Sequence, residues 1–189
     1  MNIYDEYPNS VEVDGRTYAL DLAFDRVLRV IDFGSREDLT EADRLAVQCA
    51  WLLSEEETLP PDAQTQARII NAVFDLFPKA DNPTRERYID FKQDAAMIRS
   101  AFFRLGIDLQ RDHIHIFRFL ELLADLPSDT ALMRTVEIRQ RPLPKPNKHN
   151  AEQIAAFQKA KARVAIRMSA EEARANFAES LKNSSVLRG

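Results

Sequence analysis

The sequence has few of the residues on which disulfides, phosphate-binding loops and membrane spans depend. Its single cysteine, Cys49, can form no disulfide within the chain and has no second thiol with which to chelate a metal. Its four glycines are scattered, which excludes a glycine-rich phosphate-binding loop. No apolar run approaches the roughly 18 residues that a membrane-spanning helix needs. We therefore expect neither a cofactor nor a membrane partner.

The start of the chain and its cysteine content indicate one cellular compartment. Met1 is followed by the acidic segment NIYDEY rather than by the basic start and apolar core of a secretory signal peptide. A single cysteine is typical of proteins that work in a reducing environment. Together these features predict an intracellular protein.

Charge is distributed unevenly along the chain. Residues 143–189 contain nine Lys or Arg against four acidic residues, so this tail carries +5 and the remainder carries −9 of the total of −4. The basic residues of the tail are diluted by alanine and lack aromatic platforms on which bases could stack. The acidic body offers no basic face that could neutralise phosphates. We therefore expect no nucleic-acid partner, and we favour docking of the tail on the body or self-association.

The densest apolar stretch runs from residue 88 to residue 139. A first group of residues recurs at helical spacing and predicts an amphipathic helix: Met97, Ile98, Ala101, Phe102 and Leu105. Asp90 is expected to cap this helix and Gly106 to end it. The run 114–126 is apolar on most of its circumference, which predicts a central helix of a bundle. A third short helix is expected between Pro127 and Arg139.

The N-terminal half predicts a hairpin followed by three helices. Asp14-Gly15 lies between two β-prone runs, and this dipeptide favours a type I′ turn because both central positions need a positive φ. Asp21 is expected to cap a helix that runs to about Phe33. Thr40 is expected to cap the next helix, and a third helix should run over 62–77.

The C-terminal part changes character after residue 138. Residues 139–150 are rich in proline and basic residues, which predicts an extended hinge. Residues 151–168 are alanine-rich and predict a helix, and a further helix is expected from Ser169 onward. We therefore predict a mainly α fold: a helical bundle with a small N-terminal β-hairpin and a C-terminal helical extension. The predicted domains are a helical core at 1–142 and a basic hinge with a helical tail at 143–189.

Residues that could carry chemistry have a simpler structural interpretation. His113 and His115 are close to Asp112, but residues two apart on a helix point about 200° from each other and cannot share one metal ion. We expect a half-buried His115 with a local hydrogen bond and an exposed His113. Glu55–Glu57 is interpreted as a solvated loop and Cys49 as an inert core thiol. No catalytic motif is present, so we predict neither an enzyme nor a metal-binding protein.

Aromatic residues on the predicted helices are the best candidates for contact with a partner protein. Phe117-Arg-Phe119 favours a place in the core, with an exposed groove for a partner helix as the alternative. Four residues are identified as candidate partner-binding side chains: Phe103, Phe117, Phe157 and Val164. No catalytic, cofactor-binding or metal-binding residue is assigned.

Two groups of motif residues suggest relatives. The first is D-F-x-x-D-A-x-x-I-x-x-A-F, which begins at Asp90 and ends at Phe102. The second is G-I-D-L from Gly106, followed by H-x-x-x-F at His115 and by L-P at residues 126–127. With VEVDG-x-x-Y near the start and VEIR at residues 136–139, these motifs cover roughly residues 1–142. In them the chain resembles the Gp-fifteen-like family of tailed siphophages.

This resemblance implies a role in phage tail assembly. Members of the family are typically encoded between the tail tube and tape-measure genes and are regarded as tail assembly chaperones. The implied protein binds the tape-measure protein in the host cytoplasm, is not an enzyme and is absent from the mature virion. A second tail assembly chaperone, the major tail protein and another copy of the chain are further candidate partners.

Two other roles remain open at this point. The protein could be a minor structural or adaptor protein that is retained in the phage tail. It could also be a small helical enzyme, which would require a pocket with convergent polar groups.

Overall fold

The computed structural model describes residues 4–78 and 87–167, and this part of the chain is mainly α-helical, as predicted. An N-terminal hairpin precedes the helices. The elements are β1 (Ser10–Val13), β2 (Arg16–Ala19), α1 (Phe24–Gly34), α2 (Glu41–Leu52), α3 (Ala63–Asp75), α4 (Ala95–Arg104), α5 (Ile116–Ala124), α6 (Ala131–Gln140) and α7 (Ala151–Val164). The helix predicted from Ser169 lies outside the described residues.

The hairpin has the predicted turn. Strands β1 and β2 pair antiparallel, with Val11 opposite Tyr18. Asp14 and Gly15 have φ values of 53° and 75°, the two positive values that a type I′ turn requires. Val11, Val13 and Tyr18 are buried, and β1 packs against α3. The hairpin is therefore stabilised by burial of one face on a helix.

Side-chain caps fix the start of three helices. The side chains of Thr40, Asp62 and Thr130 accept hydrogen bonds from backbone N–H groups three residues farther on, at the starts of α2, α3 and α6. The predicted starts of α2 and α3 are thereby confirmed.

Two predicted caps are wrong. Helix α1 begins at Phe24, because the Asp21 carboxylate instead accepts from the Ala23 N–H and pairs with Arg26. Helix α4 begins at Ala95 rather than just after Asp90, whose carboxylate forms a separate turn by accepting from the two N–H groups of residues 92 and 93.

Helix α4 ends as the sequence predicts. Gly106 has a φ of 80°, and its N–H donates to the Phe103 carbonyl. The Ile107 N–H donates to the Phe102 carbonyl, which completes a Schellman motif.

The described residues group into two compact units. The first contains residues 4–78 and 102–126, and the second contains residues 87–101 and 127–167. Helix α4 is continuous from the second unit into the first. The boundary predicted between residues 142 and 143 falls inside the second unit, where α6 and α7 pack against each other.

The first unit has an aromatic stack at its centre. The Phe119 ring lies between the rings of Phe24 and Phe102, with centroid distances of 4.7 and 5.0 Å. Phe102 and Phe119 are fully buried. This stack joins α1, α5 and the end of α4, so the core interpretation of Phe119 is confirmed.

Within the described ranges, no helix combines the length and the apolar character needed to cross a lipid bilayer.

Candidate partner-binding surfaces

The four candidate partner-binding residues lie in different environments. Phe103 and Phe117 belong to the first unit, whereas Phe157 and Val164 belong to the second. Phe103 is 70% exposed and Phe117 only 9%, while the two residues of α7 are half-buried. The four residues therefore do not form a single surface within one unit.

Phe103 is the most exposed phenylalanine of the described residues. It lies one position after the buried Phe102, so the two rings leave α4 on different sides. Leu105, two residues later, is 41% exposed, and Ile107 and Leu109 are half-buried. The end of α4 therefore exposes an apolar surface at Phe103, which is here called the α4 patch.

Phe117 is a buried residue, in agreement with the core interpretation that the sequence favours. Its ring packs edge-on against Phe77 at 4.9 Å and near Tyr7 at 6.3 Å. Periodicity could not distinguish a buried from an exposed position because α5 carries apolar side chains on most of its circumference. Phe74, whose ring lies 6.1 Å from that of Phe77, is exposed at 36%, and Tyr7 and Phe77 are half-buried.

His115 has the local structural role that the sequence favours. Its Nδ1 accepts a hydrogen bond from the Phe117 N–H at 3.2 Å and thereby caps α5. That bond leaves Nε2 as the protonated nitrogen, which donates to the Pro8 carbonyl at 3.0 Å. Burial lowers the pKa of His115, although the Pro8 carbonyl and Asp21 act in the opposite direction. The neutral imidazole therefore satisfies both neighbours, while His113 is exposed as predicted.

A cleft of about 400 Å³ lies in the first unit and contains several polar groups. Its lining residues are Leu20, Asp21, Leu22, Ala23, Ser54, Glu55, His113 and His115. Asp21 and His115 are already engaged in the contacts described above. The buried Oγ of Ser54 has no hydrogen-bond partner among the described residues. This cleft is the place at which the enzyme alternative would have to act.

The backbone around the cleft explains why polar groups converge there. The extended segment 20–24 lies between two others: the Asp21 N–H donates to the Leu52 carbonyl, and the Phe24 N–H donates to the Ile114 carbonyl. Residues 52–55 and 113–116 therefore flank one strand-like segment. Across residues 4–78 and 87–167, no three metal-ligating side chains are grouped so that they could hold an ion.

Two other sequence interpretations concern buried or acidic residues. Cys49 is fully buried, and burial raises the pKa of its thiol to about 11, as expected for an inert core thiol. Glu57 departs from the predicted solvated loop, because its carboxylate accepts hydrogen bonds from the Ala19 N–H and from Arg16, both at 3.0 Å. Glu55 and Glu56 are exposed, in agreement with the prediction.

Arg139 connects three segments of the second unit, a role that the sequence analysis missed. Its guanidinium pairs with both carboxylate oxygens of Asp94 and also donates to the Tyr88 and Val164 carbonyls. The only sequence signal was that Asp94 and Arg139 each fall in a motif segment. Forty-five residues separate them, so no local pattern could pair them.

The α7 face also contacts its own unit. The Arg141 guanidinium lies 5.6 Å from the centroid of the Phe157 ring, and the Lys161 ammonium lies 5.9 Å from it. The Phe157 ring therefore lies near two cationic groups of the same chain, that of Arg141 and that of Lys161 on α7 itself.

Motif residues are thus explained as determinants of the fold. Asp94 pairs with Arg139, Phe102 and Phe119 form the central stack, Gly106 ends α4 and His115 caps α5.

Comparison with known proteins identifies a family. The family model described as Bacteriophage Gp15 protein matches residues 3–166. Comparison with curated proteins found no match, and comparison with solved structures found none either. The matched range includes the hairpin and all seven helices of the described part, and it extends beyond the roughly 142 residues covered by the motifs. The chain therefore belongs to the Bacteriophage Gp15 protein family.

Proposed function

We propose that this chain is a phage tail assembly chaperone that binds the tape-measure protein during tail morphogenesis and performs no catalysis. The observation that carries the proposal is the family match over residues 3–166, and the exposed α4 patch supplies a surface for the contact. The chaperone acts in the host cytoplasm and leaves before the virion is complete.

The α4 patch suits a helical client. A long amphipathic helix aggregates in water unless its apolar stripe is covered, and exposed aromatic and aliphatic side chains provide such cover. Phe103, next to the fully buried Phe102, is 70% exposed, and Leu105 is 41% exposed. A contact of this size is weak on its own, so several copies along one client would supply avidity.

The cleft of the first unit supports a structural role more than a catalytic one. Both ring nitrogens of His115 form hydrogen bonds with backbone groups, and Asp21 forms an ion pair with Arg26 at 2.8 Å. A general acid or base must be able to exchange its proton with a substrate. Glu55 is an exposed carboxylate of the lining, and a Glu55→Gln variant should support tail assembly at the wild-type level.

A substitution in the patch tests the contact with the client. Phe103→Asp should leave the helical circular dichroism spectrum intact and lower binding of tape-measure fragments at least tenfold. Ile31→Asp is the matched control, because Ile31 is also an exposed apolar residue of the first unit, at 54%. Equal loss of binding in both variants would contradict a role for the α4 patch.

Mass spectrometry of purified particles separates the chaperone from a retained adaptor protein. The proposal predicts that the chain is present in infected-cell lysate and absent from finished virions. Stoichiometric presence in virions would instead support the minor structural or adaptor role. The same experiment on assembly intermediates should recover the chain with the tape-measure protein, and would report a second chaperone or the major tail protein if either is bound.

A further inference from the structure

The last described part of the chain is held on the second unit with little burial. We call residues 151–167, which are α7 and the three residues after it, the arm. None of the fourteen residues of α7 is buried, and its apolar face is only half-buried. The residues of that face are Ile154, Phe157 and Val164. Because stability scales with buried apolar area, this helix is held weakly by packing alone.

The end of the arm is held through backbone atoms rather than side chains. The Gln93 side-chain amide donates to the Ala165 carbonyl at 2.9 Å, and its oxygen accepts from the Arg167 N–H at 3.0 Å. The Arg139 guanidinium donates to the Val164 carbonyl at 2.6 Å. The surface that contacts the arm is here called the seat. It consists of α6, which includes Arg139, and of Gln93.

These hydrogen bonds are made to backbone groups, so they depend on the conformation of the bound segment and not on its side chains. Any chain that ends a helix and continues with extended backbone offers the same carbonyl and N–H groups to Gln93 and Arg139. Arg139 is held in place independently of the arm, because its other donors bind Asp94 and the Tyr88 carbonyl. The position of Arg139 in the seat therefore does not depend on the arm.

The connection to α6 is suited to a detachable arm. Residues 141–150 contain Pro142, Pro144 and Pro146, which cannot continue a helix. The Asn150 side chain binds the Lys145 carbonyl and the Asn147 N–H, so it closes a turn within the hinge and does not cap α7. Release of the arm consequently breaks no hydrogen bond within α6.

We propose that the arm occupies, within its own chain, the seat at which a client helix binds. This inference rests on the proposed function, and it identifies the client segment as an amphipathic helix followed by extended backbone. The hinge keeps the arm at a high local concentration, so the seat is closed until a longer client helix covers more apolar surface than α7 does. If the arm closes the seat nine-tenths of the time, client affinity is lowered about tenfold.

The test uses full-length chains in which the arm is prevented from docking. In the open-arm variant, Ile154→Asp and Phe157→Asp place charges on the half-buried face of α7. In the control, Ala155→Asp and Ala162→Asp place the same residues on its exposed face. Because no α7 residue is buried, both variants should retain the folded body, and hydrogen exchange of residues 151–164 reports whether the arm is docked.

The probe is a fluorescein-labelled peptide with the wild-type sequence of residues 150–167. It should bind the open-arm variant at least tenfold more tightly than it binds the wild type or the control. Tape-measure fragments that bind the protein should displace the peptide. In the open-arm variant, Gln93→Ala should weaken peptide binding severalfold, whereas Gln110→Ala, at an exposed glutamine of the first unit, should not change it.

Different failures have different meanings. If the peptide does not bind the open-arm variant, or if a fragment binds without displacing it, the inference is overturned while the proposed function stands. If no tape-measure fragment binds even the open-arm variant, the proposed function falls, and with it the client assigned to the seat.

Discussion

Asp94 and Arg139 form a buried, two-point ion pair in the second unit, with guanidinium nitrogens 2.5 and 2.9 Å from the two carboxylate oxygens. Their side chains are 0% and 6% exposed. Burial by itself would raise the pKa of Asp94, but hydrogen bonds from Arg139 and from the Asp90 N–H outweigh burial and lower it. The pair therefore remains charged and anchors the start of α4 to the end of α6.

Replacement of Arg139 by methionine should destabilise the protein strongly. The substitution leaves a carboxylate without its charge partner in a buried site, which typically costs about 3–5 kcal/mol. Urea unfolding, monitored by circular dichroism, measures this difference. Arg99→Met is the control because Arg99 is exposed on α4, and its effect should stay within about 0.5 kcal/mol.

The double variant Asp94→Leu with Arg139→Met distinguishes charge burial from loss of packing. It should recover most of the lost free energy, since a pair of apolar side chains leaves no buried charge. A double variant as unstable as Arg139→Met alone would contradict this explanation of the pair.

Truncation of Phe119 should destabilise the protein strongly, whereas truncation of Phe103 should hardly change its stability. Phe119→Ala removes the middle ring of the stack and should cost about 3–5 kcal/mol of unfolding free energy. Phe103→Ala removes a ring that is 70% exposed and should change stability by less than about 0.5 kcal/mol while weakening client binding. Comparable destabilisation by both substitutions would mean that Phe103 packs in the core.

Local features of the fold could be predicted because neighbouring residues determine them. The Asp14-Gly15 turn needs only two residues that tolerate positive φ, and the Thr40 cap needs only an N–H three residues later. The end of α4 at Gly106 follows from the same kind of argument. Each of these predictions depends on a few consecutive residues, and each is confirmed.

Features that depend on residues far apart in the sequence could not be predicted. Asp21 has the residue type of a cap, but its N–H donates to the Leu52 carbonyl and the Phe24 N–H donates to the Ile114 carbonyl, so residues 20–23 are extended and α1 starts later. The role of Arg139 depends on Asp94, forty-five residues away. Burial of Phe117 depends on Phe77, which follows the end of α3 and lies about forty positions earlier in the chain.

Protonation of His115 should lower the stability of the protein as the pH falls. Its pKa in the folded protein is lowered from the ordinary value of 6.5, so the unfolded chain binds a proton more readily than the folded one. The contribution of the neutral His115 ring to the free energy of unfolding is therefore fully present above pH 6.5. It is lost as the pH falls through the pKa of His115 in the folded protein. His115→Asn keeps a capping side chain but cannot titrate, so its unfolding free energy should fall less between pH 7.5 and pH 5.5. Parallel profiles for the two proteins would contradict this role.

Substitution of Gly106 should destabilise the protein because of the positive φ at this position and not because a side chain would be crowded. At a φ of 80°, an L-residue is strained, and a Cβ built there meets no atom within 4 Å. Gly106→Ala should therefore cost about 1–2 kcal/mol, from the left-handed conformation alone. Gly15→Ala, with a φ of 75° and equally open space, is the matched comparison and should cost about the same. A neutral Gly106→Ala would indicate that the end of α4 rearranges.

The most direct test of the central claim is co-expression of the full-length chain with tape-measure fragments, followed by size-exclusion chromatography with light scattering. The account predicts a complex that elutes as one species, keeps the fragment from aggregating and is weakened by Phe103→Asp but not by Ile31→Asp. A fragment that is soluble and abundant but elutes separately from the chain would contradict the account.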